Sequence, residues 1–284
     1  MKMKLFLLLT LTACSCKKDV TIDLPEEVNK PVLNLLMSKD SLMVAQVTLA
    51  SRIGQWKLPA PIRNAEVKLY ENDVFKENMT LLDKDWVVFY KSTIKAQEGA
   101  TYRIVASIPG YTEVEGRDMI PEPAKVGEVR LKVVTDNDGG TKGIVTVELH
   151  DKPREKNYYR IRIYALDTFD GIPVRMPMYL KSTEPHDVLF GGKERDTFFT
   201  DDVFFDGRSP RFSFVTSLRR NNPEKVVAEV TSLTYNSYNY LFSSFMAKEK
   251  NEDPLSEKVI VFNNILNGLG IVGGMTPQDH PALP

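Results

Sequence analysis

Asn157-Tyr158-Tyr159-Arg160-Ile161-Arg162-Ile163-Tyr164 is the stretch that decides the fold. Every second residue changes character, so Tyr159, Ile161 and Ile163 share one face while Tyr158, Arg160, Arg162 and Tyr164 share the other. A period of two over eight residues, rich in β-branched and aromatic side chains, is the signature of a β-strand. The polar face carries two arginines between tyrosines, which suits either a second packed face or an interaction surface for a partner.

The same texture extends in both directions. Val129-Arg130-Leu131-Lys132-Val133 alternates and runs into Asp136-Asn137-Asp138-Gly139-Gly140, a turn by composition, and the alternation resumes from Ile144 to Leu149. Phe212-Ser213-Phe214-Val215 and Val226-Val227-Ala228-Glu229-Val230 follow, and Val259-Ile260-Val261-Phe262 reads as a last strand. Toward the N-terminus lie Val44, Val47 and Leu49, then Ala65 to Tyr70, Trp86 to Tyr90 and Tyr102 to Ala106, punctuated by Gly99 and Pro109-Gly110. Short strands with frequent turns predict antiparallel sandwiches. Pro121-Glu122-Pro123 interrupts pairing and marks a boundary between two β-rich lobes.

The expected fold is therefore mainly β, with an immunoglobulin-like Greek-key sandwich over residues 31–122 and a second sandwich-like domain over 123–275. One amphipathic helix belongs to the second lobe, near 234–249. Thr231 to Thr234 supplies capping hydroxyls, and Tyr238, Leu241, Phe242 and Phe245 then recur at i, i+3, i+4 and i+7. Such a stripe is expected to pack against the second sheet rather than to form a ligand groove. The proline-bearing residues 276–284 are expected to fray.

The N-terminus has its own logic. Lys2 and Lys4 precede an apolar run from Leu5 to Leu11, which ends in small residues before a cysteine, the order of parts in a secretory signal. The run is too short to cross a hydrocarbon core of about 30 Å. A cysteine at the cleavage point is the mark of a bacterial lipoprotein, giving a signal of residues 1–13 or 1–15 and a lipidated linker over 14–30. Leu11 at the third position upstream favours Cys14 as the lipid carrier, whereas Cys16 would leave no unpaired thiol behind. Either way no cysteine pair remains in the body, so disulfides do not hold it.

Charge excludes some functions. Lys and Arg number 37 against 38 Asp and Glu, without a basic stripe, which argues against nucleic acid as a partner.

Four stretches, taken together, resemble a known family. Cys16-Lys17-Lys18-Asp19-Val20-Thr21-Ile22-Asp23-Leu24-Pro25 is similar to its start, Asp151 to Tyr159 (DKPREKNYY) to its mid-chain element, Thr200 to Gly207 (TDDVFFDG) to a later segment, and Asn263 to Ile271 (NNILNGLGI) to its end. The family is domain of unknown function 4249, a group of outer-membrane lipoproteins of Bacteroidota. Thr200 stands where serine is usual and Val272 where an aromatic is common. The resemblance implies an outer-membrane lipoprotein beside a TonB-dependent β-barrel transporter, and no catalytic role. It also favours Cys16 over Cys14 as the lipidated residue, so the choice between them stays open.

Residues that carry chemistry are sparse. His150, His186 and His280 lack the close spacings of a zinc site, and neither a nucleophile elbow nor a phosphate loop is present. Asp201, Asp202 and Asp206 before Gly207 form the best acidic cluster, a weak calcium candidate without the alternating pattern of a calcium loop. Tight turns use the same residues. Trp56, in a proline-rich loop, together with Tyr158, Arg160 and Arg162, supplies the candidates for partner contact. The expected function is a lipid-anchored, non-catalytic accessory protein of a transporter, capturing or gating a substrate and needing no cofactor. A structural or adhesive surface lipoprotein, and more remotely a hydrolase, are the alternatives. Which leaflet the body faces stays undecided.

Overall fold

The computed structural model describes residues 29–50, 59–84, 87–135, 140–183, 193–218, 225–250 and 257–284. The fold is mainly β, as the alternation predicts. Strands β1 (Pro31–Ser38), β2 (Leu42–Leu49), β7 (Val87–Lys95) and β6 (Thr80–Lys84) form one layer of the first lobe in that order, with the short β3 (Ala60–Pro61) on β2. The facing layer has the order β5 (Val74–Asn78), β4 (Glu66–Glu71), β8 (Thr101–Ser107) and β9 (Val114–Met119). This arrangement is the A-B-E-D and C′-C-F-G order of an immunoglobulin-like Greek key.

Two internal features hold that sandwich together. On β1 the alternating Leu33, Leu35 and Met37 are buried, facing Val67, Leu69, Tyr102 and Ile104 of the other layer in one apolar core. Tyr102, at the start of β8, donates from its hydroxyl to Glu71 Oε1 at 2.8 Å and accepts from Gln97 N at 2.9 Å. This is the tyrosine corner of immunoglobulin-like domains. Burial pushes the Tyr102 hydroxyl up to about 12. Two residues on, the fully buried Ile104 takes the position that a cysteine holds in antibody domains, so packing replaces the disulfide.

The second lobe repeats the two-layer plan. One layer has the order β10 (Lys125–Thr135), β11 (Thr141–His150), β16 (Arg211–Ser217) and β14 (Lys181–Ser182). The other has β13 (Ile172–Pro177), β12 (Tyr158–Phe169) and β17 (Lys225–Leu233), with β15 (Phe198–Asp201) also on β12. Tyr159, Ile161 and Ile163 point into the second core with Val145, Val147 and Phe214, as the period of two requires.

One strand joins the lobes. β18 (Leu269–Pro281) pairs in parallel with β1 through Val32↔Leu269 to Ser38↔Met275, then antiparallel with β17 through Leu233↔Met275 to Val227↔Pro281. The layers β6-β7-β2-β1 and β17-β12-β13 thereby become one continuous sheet. Several expectations change here. Residues 123–275 are not a separate unit, because Ile265 and Val272 belong to the core of the first lobe. The segment 276–284 is not a frayed tail: it is strand to Pro281, and Leu283 N donates to Val129 O at 2.8 Å. Val259 to Phe262 is not a strand.

The prolines deceived because their orientation is invisible in sequence. Ala282 N donates to Val226 O, so the even-numbered amides of β18 face β17, while Pro277 and Pro281 turn theirs away. β1 has ended by Met275, so nothing on that side requires an N–H. The late glycines serve close approach. A Cβ on Gly274 would overlap Met119 O and lie 2.8 Å from its carbonyl carbon, where β18 passes under β9.

Helix α1 (Tyr235–Lys250) matches the periodicity, and Thr234 caps it by accepting from Ser237 N at 3.2 Å. It lies on the outer face of the shared sheet. Phe199 of β15 meets Tyr238, Phe242 and Phe245 at centroid distances of 5.9 to 6.1 Å, so the stripe packs on the second lobe. These rings are only partly buried, unlike those of an interior helix.

Candidate functional site

A cleft of about 630 Å³ opens where the lobes meet. The end of β9 and the linker Pro121 to Lys125 form one wall; the loop from His150 to Tyr159 and the junction of β17 with α1 form the other. Pockets at domain junctions are the usual place for ligands.

Its floor is held by Asp118. This buried carboxylate accepts from Thr234 Oγ1, the helix cap, and from Gly274 N at 2.9 Å. It thus ties β9, β18 and α1 at one point. Burial raises its pKa, opposed by those hydrogen bonds. The rim is aromatic: Tyr235 is more than half exposed and meets Tyr158 edge-on at 5.8 Å, and Tyr158 packs on Tyr238 at 5.0 Å. Lys152 is shared by Glu122 and Glu155, both at 3.2 Å. Lys125 and Lys156 line the same cleft without a carboxylate partner among the described residues. Cations, carboxylates and tyrosine rings around one opening can hold a polar ligand or a partner's side chains.

The mid-chain loop is built by interlocking. Asp151 Oδ1 accepts from Tyr159 Oη at 2.8 Å, and its Oδ2 accepts from Gly207 N at 2.9 Å. Asp202 Oδ2 accepts from Asn157 N at 2.8 Å, and Asp206 Oδ1 from Arg154 N at 2.8 Å. The two stretches DKPREKNYY and TDDVFFDG thus clasp each other. Asp201 stands apart from this cluster, and Asp151 takes its place: Asp151, Asp202 and Asp206 have ligand oxygens within 4.8 Å of one another. All three are engaged by amides or a hydroxyl, as turn-organising carboxylates are. Burial raises the Asp151 pKa, partly offset by the bond from Gly207.

The other expected residues fall as follows. Tyr158 lines the cleft, whereas Arg160 and Arg162 lie further along the same outer face, in an ion network with Glu229, Arg175 and Asp279. Arg175 escaped sequence reading because its strand follows a turn at Asp170-Gly171 inside a stretch that resembles a loop. Arg162 Nη2 meets Glu229 Oε1 at 2.6 Å, and Arg175 Nη2 meets Oε2 at 3.1 Å. His150 Nδ1 contacts Ser209 Oγ at 2.8 Å, and among the described residues no carboxylate bonds the imidazole to complete a triad. His280 lies within β18, and burial lowers its pKa. Cys14, Cys16, Trp56, His186 and the turn residues Asp136 and Asp138 lie outside the described residues. Among the described residues no helix is long and apolar enough to cross a membrane.

Comparison with known proteins adds a family. No curated protein matches the sequence. Among solved structures, collagen adhesin from S. aureus is similar at 6% identity with a TM-score of 0.21, over 89% of this chain and 94% of that one; a score so low carries no argument. Residues 17–280 match the model of the family described as domain of unknown function (DUF4249), and the chain belongs to that family.

Proposed function

We propose that this protein is a lipid-anchored, non-catalytic accessory protein of the outer membrane, which binds its ligand or partner at the cleft between the lobes and works beside a TonB-dependent transporter. The observation that carries this reading is the N-terminal order of lysines, a short apolar run, small residues and a cysteine, followed by a polar stretch up to Pro31. Sheet geometry supports it. β1 and β18 run in parallel from the end where that stretch enters, and β18 extends about 40 Å at ~3.3 Å per residue. The second lobe therefore lies at the far end of β18 from Pro31, where the first strand begins. The transporter rests on the family resemblance.

Two measurements test it. Cells fed radiolabelled palmitate should label the intact chain and not a variant lacking both Cys14 and Cys16. After mild detergent extraction, a β-barrel transporter should be recovered in matching amounts. Labelled protein recovered alone, repeatedly, would favour a structural or adhesive lipoprotein; absence of label removes the anchor itself.

A further inference from the structure

The outer face of the second lobe carries more cationic donors than the fold can satisfy. Arg160 and Arg162 are successive outward residues of β12, Glu229 and Thr231 sit opposite on β17, Asp279 follows on β18, and Arg175 reaches in from β13. Three guanidiniums face two carboxylates, which leaves one positive charge in surplus. The hydrogen bonds are unevenly shared. Glu229 Oε1 is approached by Arg160 Nη2 at 3.3 Å, Arg162 Nε at 2.9 Å, Arg162 Nη2 at 2.6 Å and Thr231 Oγ1 at 3.4 Å. A carboxylate oxygen has room for about two good donors. Meanwhile Arg160 is only 8% exposed, and its Nε is buried with no acceptor. A buried donor left unpaired is costly, the more so on a cation.

We propose that Arg160, Arg162 and Arg175 form a receptor for a small oxyanion group, a carboxylate or a phosphate, presented to the outer face of the second lobe. Such a group brings acceptors without donors, which is what the cluster lacks, and suits the forked geometry of guanidinium. The site is open on one side: the Arg162 and Arg175 side chains keep 33% and 35% of their surface exposed. It is also preorganised, because Arg175 lies over the Tyr164 ring at 3.8 Å and is clamped by both oxygens of Asp279. A network serving the fold alone would balance its charges and share its acceptors. This one does neither.

The test is the melting temperature of the purified full-length protein in sodium phosphate, sodium acetate and sodium chloride at matched ionic strength. Phosphate or acetate should raise the Tm over chloride by about 2 °C or more, saturably, because ligand binding to the native state adds stability. A shift with phosphate alone assigns a phosphoryl group, with acetate alone a carboxylate, and with both the shared oxyanion chemistry. Glu229→Gln removes a negative charge and one of the two competing acceptor oxygens and should tighten anion binding about tenfold, whereas Glu148→Gln, which removes the same charge beside Arg211 on the other layer, should leave it unchanged. Arg162→Lys keeps the charge and the stem but loses the fork, and should weaken binding about tenfold. Equal melting in all three salts for both the native protein and Glu229→Gln overturns the proposal, as does unchanged binding in Arg162→Lys.

Discussion

Gly274 is the position where one added methyl group should do the most harm. β18 passes so close under β9 that a Cβ there would overlap Met119 O and approach the Met119 carbonyl carbon to 2.8 Å and Ile120 Cα to 3.3 Å. Carbon atoms are comfortable at about 3.5–4.0 Å, so the backbones must part by about 1 Å. Asp118 Oδ2 and Gly274 N, now 2.9 Å apart, would then lose their hydrogen bond in a buried setting. Overpacking costs about 1–3 kcal/mol and the stranded amide about 1–3 kcal/mol, so Gly274→Ala should lose about 4 kcal/mol. Gly140→Ala is the control, since no atom of the described residues lies within 4 Å of its Cβ position. Urea unfolding checks this with two readouts. Pulsed hydrogen exchange at the amides of β4 and β8 reports the first lobe, and far-ultraviolet dichroism reports the whole. Because β18 pairs with both lobes, the two curves should move together. A loss below about 1 kcal/mol, or a first-lobe transition that shifts alone, refutes the close-approach argument.

Three further outcomes are expected. Tyr102→Phe removes the hydroxyl shared by Glu71 and Gln97 and should cost about 1–3 kcal/mol by thermal or urea melts; in the native protein, absorbance titration should find Tyr102 and Tyr238 ionising late, near about 12. Because the folded values are raised, that contribution is complete below the unfolded tyrosine range and is lost as pH rises through the folded value. Asp118 is also raised by burial, so its native state binds the extra proton, and the stability of the native protein relative to Asp118→Asn should be greatest in acid and fall as pH climbs from 3.8 through the folded value; a difference that grows with pH contradicts the burial argument. Calcium should leave the melting temperature unchanged, because the Asp151, Asp202 and Asp206 carboxylates already serve Gly207, Tyr159, Asn157 and Arg154; a saturable rise would mean that those bonds are given up for an ion.

Much of the second lobe was legible because its strands obey local rules. The alternation around Tyr159, Ile161 and Ile163 assigned an inward face without knowledge of any partner strand, and those residues are buried in the second core. The cap at Thr234 and the stripe through Tyr238, Phe242 and Phe245 announced the helix for the same reason, since capping and periodicity act within a few residues. The C-terminus was misread because its rules are not local. Pro277 and Pro281 break a strand only if their amides are needed, and that depends on which side of β18 is occupied.

The sequence by itself determined the β class, the two sandwiches, the helix that follows Thr234 and the expectation of a lipidated N-terminus, all of which rest on neighbours a few residues apart. Tertiary structure decided that β18 welds the lobes into one sheet, that Asp118 meets Gly274 and Thr234 although the strands of the second lobe intervene in sequence, and that Arg175 joins Arg160 and Arg162 around Glu229. Those contacts join residues tens to more than a hundred positions apart. Their register follows from how apolar faces close over two cores, which no local pattern encodes.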